Sequence, residues 1–249
     1  MKTEQDKIKK IIREMTEEEY AENSVLLDEI QPFAAHENVQ MDDKLRAVMT
    51  NKVKYLMQDI FDVMKLDFKN DPNLKDTPTR LASMWVNELM VGRYQNAPRI
   101  EAFPNNMTNS NITDIEFDYP DSGMIVAKKV DIRSLCSHHF MPFFDDGINS
   151  YAIIAYKPTT KLLGISKLQR LVHFYGRRPQ LQEMLSYQIF SHIKEVIDSE
   201  DVMVSMQNIT HTCETQRGVE TACGATSTLH FGGIFNDSQL RREIILQAK

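Results

Sequence analysis

The architecture is set by the residues from Val202 to Cys213, which read VMVSMQNITHTC. This segment is predicted to be a β-strand. Because residues two apart on a strand share one face, His211 and Cys213 are expected to point the same way. Both are metal-ligand types, so one could bind a metal while the other reached a bound substrate. The segment therefore joins a predicted sheet to a candidate site.

Further strands are predicted on both sides of this segment, over Met124–Leu135, Asn149–Tyr156 and Ala222–Phe235. Two helices are expected between the second and third strands, the later one beginning near Pro179, and a short helix follows from Ser238. The order is helices, then two strands, two helices and two strands. This order favours an α+β fold in which N-terminal helices precede an antiparallel sheet.

Three regions are expected along the chain. Residues 1–45 are strongly charged and predict a partly helical or disordered extension. Residues 46–103 form an N-terminal helical region, with an apolar stripe over about 41–66 and a second helix that Thr77-Pro78 opens. Residues 104–249 form the catalytic domain, which begins with a loop or short hairpin over 104–124 rich in Asn, Asp, Pro and Ser.

The composition limits the function. The net charge of −6 and the sequence pI near 5.7 argue against general binding of nucleic acid, although a local basic pocket could still hold an anionic substrate. No apolar run approaches the roughly 20 residues needed to cross a bilayer, and the first residues lack the apolar segment of a signal peptide. We therefore expect a cytoplasmic protein without a membrane partner. Three cysteines do not indicate a disulfide framework.

Cys136-Ser137-His138-His139 places three metal-ligand types in four residues. Cys136 and His139 are three residues apart, close enough on a turn to bind one ion. A catalytic zinc ion needs three protein ligands and one open position, so a third ligand must come from elsewhere in the chain. His211-Thr212-Cys213 contains the only other pair of ligand types so closely spaced. Other interpretations stay open from the residues alone. The short motif could be accidental, Cys223 could complete a structural site, or Cys136 and Cys213 could form a disulfide.

Two helix starts have the chemistry of nucleotide binding. Gly164-Ile165-Ser166-Lys167-Leu168-Gln169-Arg170 puts Ser166 at a predicted N-cap with two cations behind it, which suits a phosphate. In Pro179-Gln180-Leu181-Gln182-Glu183, the last two side chains could hydrogen-bond a guanine edge. A solvated basic helix start and a carboxylate that balances the helix dipole are the alternatives.

Taken together, these residues resemble the GTP cyclohydrolase I family. The resemblance runs from about Val48 to the C-terminus and leaves out the first 45 residues. The motifs that carry it are Cys136-Ser137-His138-His139-Phe140, Gly164–Arg170, Arg178–Glu183, His211-Thr212-Cys213 with Arg217-Gly218, and Thr77-Pro78-Thr79-Arg80.

The resemblance implies the tunnelling fold, with a four-stranded antiparallel sheet backed by two helices. It also implies a homodecamer with active sites between subunits. GTP would be opened at C8 to give formate and 7,8-dihydroneopterin triphosphate, a reaction that begins folate, biopterin and 7-deazaguanine synthesis. The implied roles are zinc ligands Cys136, His139 and Cys213; catalytic residues His138, His211 and Ser166; guanine contacts Gln182 and Glu183; and phosphate or ribose contacts Ser166, Lys167, Arg170, Arg217 and Arg80.

Two positions depart from the family pattern. Ser137 stands where most relatives carry Glu, which removes a carboxylate beside the metal. Glu214 follows Cys213, and strand alternation predicts that it faces away from the thiol. Two further functions compete with the cyclohydrolase: another tunnelling-fold pterin or 7-deazaguanine enzyme, and a non-catalytic, zinc-stabilised assembly that binds a nucleotide.

Overall fold

The structure is a computed structural model that describes residues 2–105, 123–216 and 225–248. The chain divides into two compact units, one running to Asn96 and one beginning at Ala97. The predicted loop over 104–124 lies largely outside the described residues. None of the helices in the described part of the chain is both long and apolar enough to cross a membrane.

The first unit is helical. Thr16 and Glu19 form a capping box at one helix start, and the Asp42 carboxylate accepts a hydrogen bond from the Leu45 N–H at 2.8 Å at another. A π-helical turn, Trp85–Leu89, follows the last α-helix. The α-helices are α1 (Lys2–Glu14), α2 (Glu17–Glu29), α3 (Asp43–Val63) and α4 (Thr77–Met84).

Only part of the apolar stripe predicted for α3 is buried. Val48 is fully buried, whereas Leu56 and Val63 are exposed, Val63 to 79%. In the C-terminal half of the helix the buried side chains are Met57 and Phe61 instead. The periodicity correctly predicted the helix, but it could not show which apolar side chains find a partner within the chain.

The second unit contains a sheet that is larger than the four antiparallel strands expected. Among the described residues it has seven strands in the order β2-β5-β8-β4-β3-β7, with β9 also paired to β8. A separate two-stranded sheet joins β1 to β6. The strands are β1 (Ala102–Pro104), β2 (Ile125–Val130), β3 (Arg133–Cys136), β4 (Pro142–Phe144), β5 (Tyr151–Tyr156), β6 (Lys161–Leu163), β7 (Pro179–Gln180), β8 (Val202–His211) and β9 (Ala225–Phe231).

The difference from the prediction has a local cause. The expected strand Met124–Leu135 is broken into β2 and β3, because the β2–β5 register shifts between Ala127 and Val130 and Lys129 has a φ of 55°. The free strand β3 then pairs with β4 and, in parallel, with β7. The four long strands β2, β5, β8 and β9 pair in this order, each antiparallel to its neighbour, as expected.

Both faces of β5 are buried. Ala152, Ile154 and Tyr156 belong to the core beneath α5 (Ile165–Gly176) and α6 (Gln182–Ile197), while Tyr151 and Ile153 pack with residues of the C-terminal segment. That segment includes α8 (Ser238–Gln247), and a short helix α7 (Thr212–Thr215) follows β8. The two backing helices predicted from the sequence are therefore present.

Gly176 at the end of α5 sets how closely this helix approaches β3. A Cβ atom at this position would lie 2.5 Å from the carbonyl oxygen of Arg133, which is backbone and cannot move aside cheaply. We expect Gly176→Ala to lower the free energy of unfolding by about 1–3 kcal/mol, measured by denaturant titration. Gly123→Ala is the control because its added methyl group would meet no atom within 4 Å. Equal stability of the two variants would contradict this account.

Candidate functional site

The Cys136–Met141 turn is closed by its own backbone. The Cys136 N–H donates to the Met141 carbonyl at 2.8 Å, and the Phe140 N–H donates to the Cys136 carbonyl at 2.9 Å. Phe140 takes a φ of 53° to complete the reversal. The turn is also tied to β7, because the Ser137 N–H donates to the Gln180 carbonyl at 3.2 Å. His138 and His139 lie on its exposed side, with ring centroids 6.2 Å apart.

Strand pairing brings His211 to this turn. Phe143 of β4 is opposite His211 of β8 in the sheet, and the two rings stack at 4.9 Å with an angle of 9° between their planes. The Thr212 hydroxyl donates to the Pro142 carbonyl at 2.7 Å, just beyond the end of the strand. Two motifs that are about 70 residues apart in sequence therefore meet where β4 pairs with the end of β8.

The sequence predicted Cys213 on the strand, but the structure places it beyond the strand's end. β8 ends at His211, and Cys213 lies in α7, so strand alternation does not explain its position. Its thiol nevertheless lies within hydrogen-bonding range of the Cys136 thiol, and both cysteines are free. Burial, followed by the neighbouring Cys136 thiol, raises the pKa of Cys213.

The two thiols are two of the three predicted zinc ligands. His139, the third, lies three residues beyond Cys136 on the exposed side of the same turn. Within residues 2–105, 123–216 and 225–248, no three His, Cys, Asp or Glu side chains are grouped in a way that could hold a metal ion. The structure thus brings the thiols together and leaves His139 apart from them.

Gln182 holds the other side of His211. Its Oε1 lies 2.8 Å from the His211 Nε2, while its Nε2 donates to the Thr226 carbonyl at 3.1 Å and to the Thr228 hydroxyl at 3.2 Å. A carbonyl oxygen can only accept, so Thr226 fixes which way the amide points. The His211 Nε2 must then carry the proton, and Nδ1 keeps the lone pair.

This network bears on the predicted guanine contacts. The Gln182 side chain is only 1% exposed, and its amide is already bonded to three groups of its own chain. Glu183, the next residue, is exposed, so of the two predicted guanine contacts it is the one that solvent can reach.

Two carboxylates act on His211. Burial lowers its pKa, and the negative charges of Glu214 and then Glu183 oppose that shift. The strand alternation from which Glu214 was predicted to face away from Cys213 is absent here, and the charge of Glu214 contributes to the raised pKa of that thiol. The helical turn of α7 is the reason, since it replaces the alternation of a strand.

The predicted phosphate motif lies elsewhere in the same chain. The N-cap of α5 is Gly164, not Ser166, which lies inside the first turn without a capping hydrogen bond. Ser166 is ten residues before Gly176, so it lies about 15 Å along α5 from the end that contacts β3. Ser166 and Arg170 are exposed and Lys167 is half-buried.

Two predicted phosphate contacts, Arg80 and Arg217, remain. Arg80 lies on α4 of the helical unit. Arg217, with Gly218 and Cys223, lies outside the described residues.

Sequence reasoning missed the residues that hold His211 in place. These are Phe143, which stacks on the ring, and Thr226 and Thr228, which orient Gln182. The only signal in the sequence was the apolar Pro142-Phe143-Phe144 run following the turn, and it does not show which strand it pairs with.

Comparison with known proteins places this geometry in a family. The family model described as GTP cyclohydrolase I matches residues 53–249, which is most of the chain and includes the whole site. The chain belongs to the GTP cyclohydrolase I family. The extension formed by α1 and α2 precedes the matched region.

Individual relatives agree with this assignment. A protein named GTP cyclohydrolase 1 from Vibrio vulnificus strain YJ016 is 34% identical over 192 residues, covering 77% of this chain and 80% of the relative. Proteins of the same name from Shewanella sp. strain ANA-3 and Vibrio campbellii are 34% identical over 201 residues and 33% identical over 206 residues. Those two matches cover 80% and 82% of this chain and 84% of each relative.

In this GTP cyclohydrolase I family member, we expect Gln182→Leu to lower the free energy of unfolding by about 1–3 kcal/mol, because the half-buried polar groups of His211 and Thr226 lose their buried partner. Nitrogen NMR of His211 should also show a single Nε2–H tautomer in the wild type and a mixture in the variant.

Glu183→Leu is the matched control for the Gln182 variant. It removes an exposed polar side chain from the same helical turn, so its stability should stay within about 0.5 kcal/mol of the wild type. A Gln182→Leu protein with wild-type stability and an unchanged His211 spectrum would contradict the network.

Proposed function

We propose that the chain is a zinc-dependent GTP cyclohydrolase I. It opens the imidazole ring of GTP by hydrolysis at C8, releases formate and yields 7,8-dihydroneopterin triphosphate, a product used in tetrahydrofolate synthesis. One observation carries the proposal. The thiols of Cys136 and Cys213 meet beside His211 and the Gln182–Glu183 helix start, within the region that matches the family.

Zinc is the metal that fits the donors available. Two cysteine thiols in contact and a histidine three residues from one of them match the soft sulfur and imidazole ligands that zinc prefers. Cys136, His139 and Cys213 would hold the ion. When bound, zinc would supply a water molecule of lowered pKa as the nucleophile.

The histidines handle the protons of the reaction. The Nε2–H of His211 is held by Gln182, so Nδ1 is the nitrogen free to accept and return a proton. His138 lies on the exposed side of the Cys136–Met141 turn, where it could deliver a proton to the purine ring nitrogen during attack at C8. The Phe143 ring fixes the plane of the His211 imidazole.

Glu183 is the residue proposed to hold the guanine. Its exposed carboxylate can accept two N–H groups of the guanine edge, and its charge reaches His211. We propose that the ribose and triphosphate are contacted by Ser166, Lys167, Arg170, Arg217 and Arg80. Ser166 is also proposed as a catalytic residue.

The separation of the two motifs supports an oligomer. Ser166 lies about 15 Å along α5 from the helix end that contacts β3, the strand that carries Cys136, so the phosphate motif and this thiol lie towards opposite ends of the helix. A neighbouring subunit could supply the phosphate motif. We propose the tunnelling-fold homodecamer of this family, with sites between subunits, working in the cytoplasm.

Purified, zinc-loaded protein should convert GTP to formate and to a pterin that fluoresces after oxidation. The two products should form in equal amounts, because one formate is released for each ring opened. ATP is the control, since its base lacks the guanine edge that Glu183 is proposed to bind. If folded, zinc-loaded protein forms neither product, the chain is not this enzyme and the non-catalytic alternative is preferred.

Separate variants should divide the metal ligands from the proton-transfer residues. We expect His138→Ala to retain zinc and lose turnover by about 100-fold or more, since positioned acid–base groups contribute about that much. Cys213→Ala should lose both zinc and turnover, because only two of the proposed ligands are left. Metal content by elemental analysis is the measurement, and the reverse pattern would overturn the assignment.

A further inference from the structure

The helical unit contains a cavity of about 750 Å³ whose walls come from α1, α3 and α4. From α1 the lining side chains are Gln5, Lys9, Ile12 and Arg13, which share one face of the helix because they are four, seven and eight residues apart. α1 lies before the region that matches the family. The cavity is therefore partly built by residues that precede the region matched by the family model.

The first helix is anchored firmly enough to form a wall. Ile8 is 1% exposed in the core of the unit, and the Gln5 amide donates a hydrogen bond to Glu88. Lys7 makes an ion pair with Asp43 at the start of α3. These contacts hold the Lys9 and Arg13 face towards the cavity.

The cavity is positively charged within an acidic protein. Lys9 and Arg13 from α1 face Lys54 from α3 and Arg80 from α4, and the carboxylates that also line it are Asp76 and Glu88. The lining thus carries four cations and two anions, a formal charge of +2, while the whole chain carries −6. A concave surface with this charge concentrates anions.

The four cations differ from other lysines of this unit. Among the residues that the structure describes, none of Lys9, Arg13, Lys54 and Arg80 forms an ion pair. Lys44 and Lys52, in contrast, pair with carboxylates at 2.7 Å. The Arg80 guanidinium donates to two neutral oxygens, the Thr77 hydroxyl and the Asn73 carbonyl.

We propose that this cavity binds an oligophosphate chain, with Lys9 and Arg13 of α1 completing a site that Lys54 and Arg80 begin. Several cations converging from three helices match a ligand that carries several negative charges along its length. Asn51 and Thr79 line the same cavity and add neutral donors for phosphate oxygens. The bound phosphate groups could belong to the proposed substrate GTP or to a free oligophosphate.

The test is a titration of the full-length protein with inorganic tripolyphosphate. Trp85, the only tryptophan, directly follows the lining residue Met84, so its fluorescence reports on this region. We expect saturable binding that weakens as salt rises, and a dissociation constant about tenfold higher in Lys9→Gln/Arg13→Gln, since charge-assisted contacts are lost. Lys54→Gln should also weaken binding, and the result for this variant does not depend on α1 staying folded.

The control is Lys10→Gln/Lys69→Gln, which removes the same charge from helical-unit positions outside the cavity. Its dissociation constant should stay within about twofold of the wild type, because exposed ion pairs contribute little. The proposal fails if Lys9→Gln/Arg13→Gln binds tripolyphosphate as the wild type does, or if the control loses as much affinity.

Steady-state kinetics then identify the source of the ligand. A raised KM for GTP with unchanged kcat in Lys9→Gln/Arg13→Gln would show that the cavity binds the triphosphate of the substrate. An unchanged KM alongside weakened tripolyphosphate binding would assign the site to a free oligophosphate. The fluorescence titration does not use turnover, so its result stands whether or not the chain has the proposed activity.

Discussion

The short antiparallel pairing of β4 with the last residues of β8 is the interaction on which the site depends. It involves two residue pairs, Phe143 with His211 and Phe144 with Thr210. Through it, the turn that carries Cys136 and the segment that carries Cys213 come within contact distance, although the local sequence of neither requires this. The Thr212–Pro142 hydrogen bond and the Phe143–His211 stacking reinforce the same register. A slip of one residue would turn His211 to the other face of the sheet.

The buried polar contacts around Gln182 give His211 a defined chemistry. A buried amide with all its partners satisfied stabilises one arrangement, because any alternative leaves a polar atom without a hydrogen bond. Here that arrangement selects the Nε2–H tautomer and leaves Nδ1 free. The parallel pairing of β3 with β7 puts the start of α6 beside Cys136, so one structural feature serves both the thiol and the histidine.

Charge is distributed unevenly in this acidic chain. The proposed catalytic site combines two thiols with carboxylates whose charges act on His211. In the helical unit, four cations line one cavity. An enzyme that handles a nucleoside triphosphate needs both environments, because ring opening requires proton transfer and the triphosphate requires positive charge. Helix α1 of the extension contributes Lys9 and Arg13 to the second environment.

Local periodicity and motif spacing were enough to predict the two backing helices and the long strands, and they selected the candidate site residues. Helix α3, strand β8 and the two backing helices follow from patterns among residues close together in sequence. The Cys136, Gln182 and His211 motifs were likewise visible in the residues. Tertiary structure alone determined that β2 and β3 are separate strands, that Cys213 lies on a helical turn, and that Gln182 bonds to His211. These outcomes depend on pairings between segments about 30 to 75 residues apart, whose register no local pattern records.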